Sequence, residues 1–196
     1  MRPSPTTRHI VLLGLRASGK STVGPRLASR LGGEFIDLDD RTRDALGASS
    51  VREAFERAGE ARFRHAEAEA LAKELDAAAR SETRRVLALG GGTPTAPGVE
   101  PLLQEARRNG CVLVAFLDPP DSVLAERLTK DAGARPSLTG RGVVEEVAEI
   151  ALARRERYAA LADFRFRDPL DPEALVSALV SIITSQVASD SSSGTA

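Results

Sequence analysis

The chain has 196 residues, 42% hydrophobic and 28% charged, enough apolar material for the core of one globular domain, which excludes a wholly disordered chain. Its 27 Lys+Arg against 28 Asp+Glu leave a net charge of -1, which excludes nucleic-acid binding by bulk charge. One cysteine and two histidines exclude an internal disulfide framework, a multi-cysteine zinc site and a histidine-rich metal site.

In chain order, residues 1–7 are polar and carry two prolines, and are expected to form a disordered lead-in. Residues 9–14 (HIVLLG) are a short apolar run ending at glycine, which predicts a buried strand. A helix over 20–31 and a strand over 34–38 (EFIDL) follow. Three helices are expected over 39–46, 50–57 and 60–79, broken at Gly47 and Gly59. A third strand, 84–89, runs into Gly90, Gly91 and Gly92, and a helix over 99–108 stops at Asn109-Gly110. The most apolar strand spans 111–117 (CVLVAFL), with Cys111 expected to be a buried structural thiol. A helix over 122–129, a glycine- and arginine-rich loop over 131–142, a helix over 143–161, a strand over 164–167 and a helix over 172–187 complete the body. Residues 188–196 (ASDSSSGTA) are expected to be a disordered tail, leaving 8–187 as a single domain. Near-continuous apolar strands separated by helices predict an α/β fold, a parallel five-stranded sheet covered on both faces. Ligands of such sheets bind at the carboxyl ends of the strands, here just after Leu13, Ile36, Leu89 and Leu117.

At the first of these ends, Gly14-Leu15-Arg16-Ala17-Ser18-Gly19-Lys20-Ser21-Thr22 matches G-x-x-x-x-G-K-[ST] between a strand and a helix. The glycines let the backbone wrap a polyphosphate with its N–H groups inward, and the helix adds its N-terminal donors and dipole. Lys20 can reach the outer phosphates, and the Ser21 hydroxyl can ligate Mg²⁺. The motif does not by itself separate a kinase from a hydrolase or a switch protein.

At the second end, Asp37 and Asp39 are two apart, and strand geometry puts both side chains on one face. They either divide metal holding and substrate hydroxyl binding between them, or serve locally, with Asp39 or Asp40 capping the next helix. Arg64 and Glu67, three apart on a helix, can pair; an ordinary solvated ion pair is the favoured local reading. The glycines at 90–92 carry an entropic cost that makes sense where a backbone must approach a ligand closely.

Taken together, these features resemble shikimate kinase, a small P-loop kinase of the nucleoside-monophosphate-kinase-like group. The likeness runs from about residue 8 to 187 and rests on five features: GLRASGKST, the paired Asp37 and Asp39, G-E-x-x-F-R at 59–64, the glycine triplet and Arg135-Pro136. It implies ATP and Mg²⁺ at the phosphate loop, with Gly14, Ala17, Ser18, Gly19, Lys20, Ser21 and Thr22 on the nucleotide, Arg127 against the adenine, and Ser21 and Asp37 on the metal. It further implies that Asp39 binds the shikimate hydroxyls near the attacking oxygen. Arg64 and a second arginine would hold the carboxylate, while Gly90, Gly91 and Gly92 line the acceptor. Arg135 would close onto the phosphates from a mobile lid at about 131–142. Lys20, Asp39 and Arg135 are then the catalytic residues. Where the family usually reads Arg-x-Pro-Leu-Tyr, this chain has Arg154-Arg155-Glu156-Arg157-Tyr158. Arg154, four before the tyrosine, matches the second arginine, with Arg155 and Arg157 as the other candidates.

The expected reaction is transfer of the γ-phosphoryl group of ATP to the 3-hydroxyl of shikimate, within aromatic amino acid biosynthesis. The alternatives are another small-molecule kinase of the group, such as a gluconate kinase, or a kinase-like ligand sensor without turnover. No apolar run approaches the ~20 residues of a membrane span, and none near the start reaches the ~7–15 residues of an export-signal core. A cytoplasmic monomer acting on small molecules, with no membrane or nucleic-acid partner, is the expectation.

Overall fold

Every residue of β1 (His9–Leu13) and of β4 (Val112–Leu117) is buried, as their unbroken apolar sequences require. They lie at the centre of a parallel five-stranded sheet of order β2-β3-β1-β4-β5, with β2 (Glu34–Asp37), β3 (Arg85–Ala88) and β5 (Phe164–Phe166) outside them. The structure is a computed structural model, and it describes residues 8–130, 143–167 and 171–192.

Alternate residues of each strand feed opposite faces. Ile10, Leu12, Val86, Ala88, Leu113 and Ala115 pack with Val23 and Leu27 of α1 (Lys20–Arg30) and Val176, Leu179 and Ile183 of α7 (Pro172–Ser192). Val11, Leu13, Leu87, Val114 and Phe116 pack with the other helices. These include α3 (Val51–Ala79) through Leu71 and Leu75, α4 (Val99–Arg108) through Leu103, α5 (Asp121–Lys130) through Leu124, and α6 (Val143–Leu161) through Tyr158. The sheet is thus covered on both sides, and its carboxyl edge carries the loops after each strand.

Two boundaries and one added turn depart from the sequence expectation in ways that bear on the site or the chain's end. β2 ends at Asp37 and α2 (Leu38–Ala45) begins at once, so Asp39 sits in the first turn of a helix and not on a strand beside Asp37. The cause is Asp37 itself, whose carboxylate accepts from the Asp39 N–H at 3.0 Å and caps α2. At the end of the chain α7 runs to Ser192, beyond the tail boundary expected at Ala188, because the first strong helix breaker there is Gly194. A short 3₁₀ turn, Thr93–Thr95, follows the glycine triplet and was not expected. The break expected at Gly59 is present: its φ of 73° and ψ of 162° interrupt α3. Residues 131–142, with Arg135, and residues 1–7 lie outside the described residues.

His9 opens β1 with only 2% of its surface exposed, its Nδ1 accepting the Arg85 N–H at 3.1 Å. Burial, with Arg85 and Arg84 nearby, lowers its pKa below the usual 6.5, against a raising hydrogen bond to the Ala78 backbone. The folded state therefore favours the neutral ring: its contribution is complete above the ordinary histidine pKa and drains away as pH falls below it. Urea unfolding should show stability falling from pH 7.5 to 5, and His9→Phe should flatten that part of the slope while lowering stability at pH 7.5. An unaltered slope in the variant would assign the acid sensitivity to other groups.

Candidate active site

Three strand ends meet at the carboxyl edge beside β1. The phosphate loop connects β1 to α1 and is already closed on itself. Lys20, 9% exposed, donates from Nζ to the carbonyl oxygens of Gly14 (2.7 Å) and Leu15 (2.9 Å) and to Ser18 Oγ (3.3 Å). The ammonium is held inside the loop on backbone acceptors that an incoming phosphate oxygen can replace. A Cβ on Gly14 would stand 2.3 Å from Ser18 Oγ and 2.7 Å from the Leu117 carbonyl, so a side chain there would force the loop off β4. Gly19, the residue before α1, has φ of 105°, a conformation that suits glycine, and its carbonyl accepts the Val23 N–H at 2.9 Å. Ala17 is the only non-glycine residue with positive φ (60°) among the described residues. Arg127 of α5 reaches over the loop and donates to the Ala17 carbonyl at 3.1 Å, against the backbone that leads into Gly19.

At the end of β2, Asp37 uses its two oxygens differently. Oδ1 caps α2, and Oδ2 accepts the Ser21 hydroxyl at 3.0 Å. Neither Asp39 nor Asp40 is the cap, which corrects the local alternative read from sequence. A hydroxyl and a carboxylate joined at this distance match the sparse protein donor set of Mg²⁺, which keeps most of its shell for water and phosphate oxygens. Among the described residues no three His, Cys, Asp or Glu side chains gather to form a fuller cage.

The end of β3 shows why three successive residues lack side chains. A Cβ on Gly90 would lie 2.3 Å from Asp39 Oδ1, one on Gly91 2.9 Å from the Arg16 backbone nitrogen, and one on Gly92 2.5 Å from Arg64 Nη1. Each glycine thus admits a different neighbour: a carboxylate, the phosphate loop and a guanidinium. The triplet is the meeting point of the two halves of the site.

Arg64 is not the solvated ion pair favoured locally by the sequence. Its Nη1 donates to Glu67 Oε2 at 2.6 Å, and Glu67 is 1% exposed. The other Glu67 oxygen accepts the Thr93 hydroxyl at 2.5 Å, from the 3₁₀ turn after the triplet. A buried carboxylate therefore locks the guanidinium at Gly92, and only the three-dimensional fold brings Thr93 to it.

Among the three arginines of α6, Arg154 reaches the site. Its Nη1 donates to the Gly91 carbonyl at 3.1 Å, and the Tyr158 hydroxyl donates to the same oxygen at 2.8 Å. Burial pushes the Tyr158 pKa up to about 12, with Arg154 and Arg64 beside it pulling the other way. Arg157 turns to Glu100 on α4 at 3.1 Å. Arg155 bonds Asp118 at 2.7 Å and Asp121 at 2.6 Å, and its pKa is raised, by the Asp121 hydrogen bond foremost. Asp118, just past β4 and 2% exposed, also takes two bonds from Arg165 of β5, at 2.9 and 2.6 Å. The sequence reading missed this buried carboxylate, although its place immediately after the most apolar strand was a signal.

Comparisons of the whole chain with known proteins agree with one another. The shikimate kinase family model matches residues 16–184. A shikimate kinase of Nitratidesulfovibrio vulgaris is 40% identical over 182 residues, 92% of this chain and 95% of that protein. One of Geobacter sulfurreducens is 41% identical over 158 residues, 81% of this chain and 80% of that protein. Among solved structures, a shikimate kinase from Acinetobacter baumannii in complex with shikimate superposes with a TM-score of 0.79 at 27% identity, covering 92% of this chain and 95% of that one. One from Bacteroides thetaiotaomicron gives a TM-score of 0.76 at 26% identity, covering 90% and 98%.

The left-handed backbone at Ala17 has a measurable consequence. Such a conformation costs a non-glycine residue about 1–2 kcal/mol, of which glycine's larger unfolded-state entropy takes back part. Ala17→Gly should therefore stabilise the fold by up to about 1 kcal/mol in urea unfolding, where an ordinary Ala→Gly change destabilises. A loss of stability would mean that the loop carries no strain at this residue.

Proposed function

The chain belongs to the shikimate kinase family, and from that membership we propose the atomic roles by which it transfers the γ-phosphoryl group of ATP to the 3-hydroxyl of shikimate. The products are shikimate 3-phosphate and ADP. The observation that carries the assignment of roles is the convergence of Arg64 and Arg154 on the glycine triplet, whose other neighbour is the phosphate loop. One crevice thus offers fixed cations for a carboxylate beside a cradle for a triphosphate.

ATP binds with its phosphates inside the loop of residues 14–22, where Lys20 exchanges its bonds to the Gly14 and Leu15 carbonyls for phosphate oxygens. Arg127 lies over the same loop, on the side of α5, and packs against the adenine. Mg²⁺ would be held by the Ser21 hydroxyl and the Asp37 carboxylate, and supplies charge neutralisation on the phosphates. The carboxylate of shikimate lies between the guanidiniums of Arg64 and Arg154, which offer planar, charge-assisted hydrogen bonds. The backbone of Gly90 to Gly92 lines the ring. Asp39, against Gly90, accepts the hydrogen bond of the 3-hydroxyl and so aims its oxygen. That oxygen forms the new bond to the γ-phosphorus while the bond to the β,γ-bridging oxygen breaks. The bridging electrons leave on ADP, and the hydroxyl proton passes to Asp39 or onward to solvent. Most of the acceleration comes from alignment and charge, so Asp39 acts chiefly as an aligner. By resemblance Arg135 completes the phosphate shell; it lies outside the described residues.

We take the working unit to be a cytoplasmic monomer without a nucleic-acid or membrane partner. The net charge of -1 supports the lack of a nucleic-acid partner, and among the described residues no helix is long and apolar enough to cross a membrane.

Coupled measurement of ADP release tests the assignment: release should depend on shikimate and not on gluconate. Lys20→Ala should abolish turnover while the circular dichroism spectrum stays that of the folded protein; residual turnover near the parent rate would remove Lys20 from the chemistry. Arg64→Ala should weaken shikimate binding by ~2–4 kcal/mol, the range for stripping one partner from a desolvated charge pair. An unchanged shikimate affinity would show that the Arg64 guanidinium does not grip the carboxylate.

A further inference from the structure

The Gly91 carbonyl receives two donors, Arg154 Nη1 at 3.1 Å and the Tyr158 hydroxyl at 2.8 Å. The two side chains are one helical turn apart on α6 and also touch each other, with Arg64 and Glu67 close by. Only one of them can leave. Tyr158 is fully buried, its ring edge-on to Phe116 with centroids 5.7 Å apart, whereas Arg154 is half-buried and has the reach of a long side chain. A carbonyl with two donors can release one and stay satisfied; a carbonyl with one donor resists losing it.

We propose that Tyr158 is a positioning residue for acceptor binding: its hydroxyl holds the Gly91 carbonyl so that Arg154 is released to the acceptor carboxylate without orphaning that carbonyl. The inference deepens the acceptor assignment above and rests on it. Without the hydroxyl, Arg154 becomes the only described donor on Gly91, and shikimate must compete with that bond for the guanidinium. The effect belongs to the acceptor and not to the nucleotide, because Lys20, Ser21 and Arg127 make no contact with this carbonyl in their hydrogen bonds above. The phenol's raised pKa keeps it a proton donor across the range in which the enzyme is assayed.

Tyr158→Phe deletes the one oxygen and keeps the ring against Phe116. Steady-state kinetics should show KM for shikimate rising about 3- to 10-fold, the lower part of the range for leaving a partly buried acceptor short of a donor. KM for ATP should hold and kcat change little. The decisive readout is a double-mutant cycle with Arg154→Ala: in that background Tyr158→Phe should leave KM for shikimate where it is, since no guanidinium remains to be released. A rise of the same factor in both backgrounds would overturn the inference and assign the tyrosine a general structural role. So would an unchanged KM in the single variant.

A second measurement does not depend on any substitution. Tyr158 is the only tyrosine in the chain, so biosynthetic 3-fluorotyrosine labels this position alone. Its ¹⁹F resonance should shift on saturation with shikimate, and the carboxamide analogue of shikimate should produce a smaller shift. A resonance indifferent to shikimate at saturation would overturn the inference. Absence of shikimate turnover in the unsubstituted enzyme overturns the acceptor assignment and this inference together. Turnover with no Tyr158 effect overturns the inference alone.

Discussion

One close approach governs the site: a backbone bare of side chains at 90–92, pressed between a carboxylate, a phosphate-binding loop and a guanidinium. β3 pairs on one side with β1, which delivers the loop, and on the other with β2, which delivers the paired acids. Any residue after β3 with a Cβ would prop these three apart. In-line transfer requires donor and acceptor oxygens to be held a few ångströms from each other, and the glycine backbone lets the phosphate loop and the Asp39 and Arg64 side chains come together at the same place. The entropic cost of three successive glycines falls at the point where no other residue fits.

The charges around this backbone are fixed in advance. Arg64 is clamped by Glu67, itself buried and tied to Thr93, and Arg154 rests on Gly91. Lys20 and Ser21 likewise already have protein partners, the Gly14 carbonyl and the Asp37 carboxylate, which in the proposed roles are the bonds exchanged on loading. Ligands therefore exchange one set of hydrogen bonds for another and need not order loose cations, which keeps the cost of binding low. The same logic places Asp37 at the centre of the β2 end: one oxygen caps α2 and holds Asp39 at its station, the other faces Ser21.

Much of this was legible in the residues. The loop from Gly14 to Thr22 has a spacing that few other structures explain, the glycine triplet lies where the strand-end rule directs attention, and Arg64 stands out only through the family pattern G-E-x-x-F-R. What escaped the sequence depended on contacts far along the chain. The burial of Glu67 follows from Thr93, 26 residues away, and no local pattern announces it. The helix read over 39–46 is present one residue earlier, and only the strand-face reading of Asp37 and Asp39 fails, because Asp37 serves as a helix cap and so ends the strand. Among Arg154, Arg155 and Arg157, the four-residue spacing to Tyr158 favours Arg154, but Arg155, three residues away, lies on the same side of the helix, and only the fold shows that Arg154 turns to Gly91 and Arg155 to Asp118.

The buried Asp118 ties together the end of β4, the start of α5, α6 and β5 through Arg155 and Arg165. A carboxylate enclosed by two guanidiniums, with the exposed Arg167 a third at 3.7 Å, cannot be exchanged for a neutral residue alone, since that strands cations beside the core, whereas replacing the buried carboxylate and its two close arginines by apolar side chains leaves only the more exposed Asp121 and Arg167 to solvent. These three positions are therefore bound to a shared evolutionary fate: descendants of this chain retain all of them or lose them in concert, and a lineage that mixes the two solutions passes through a poorly folding intermediate.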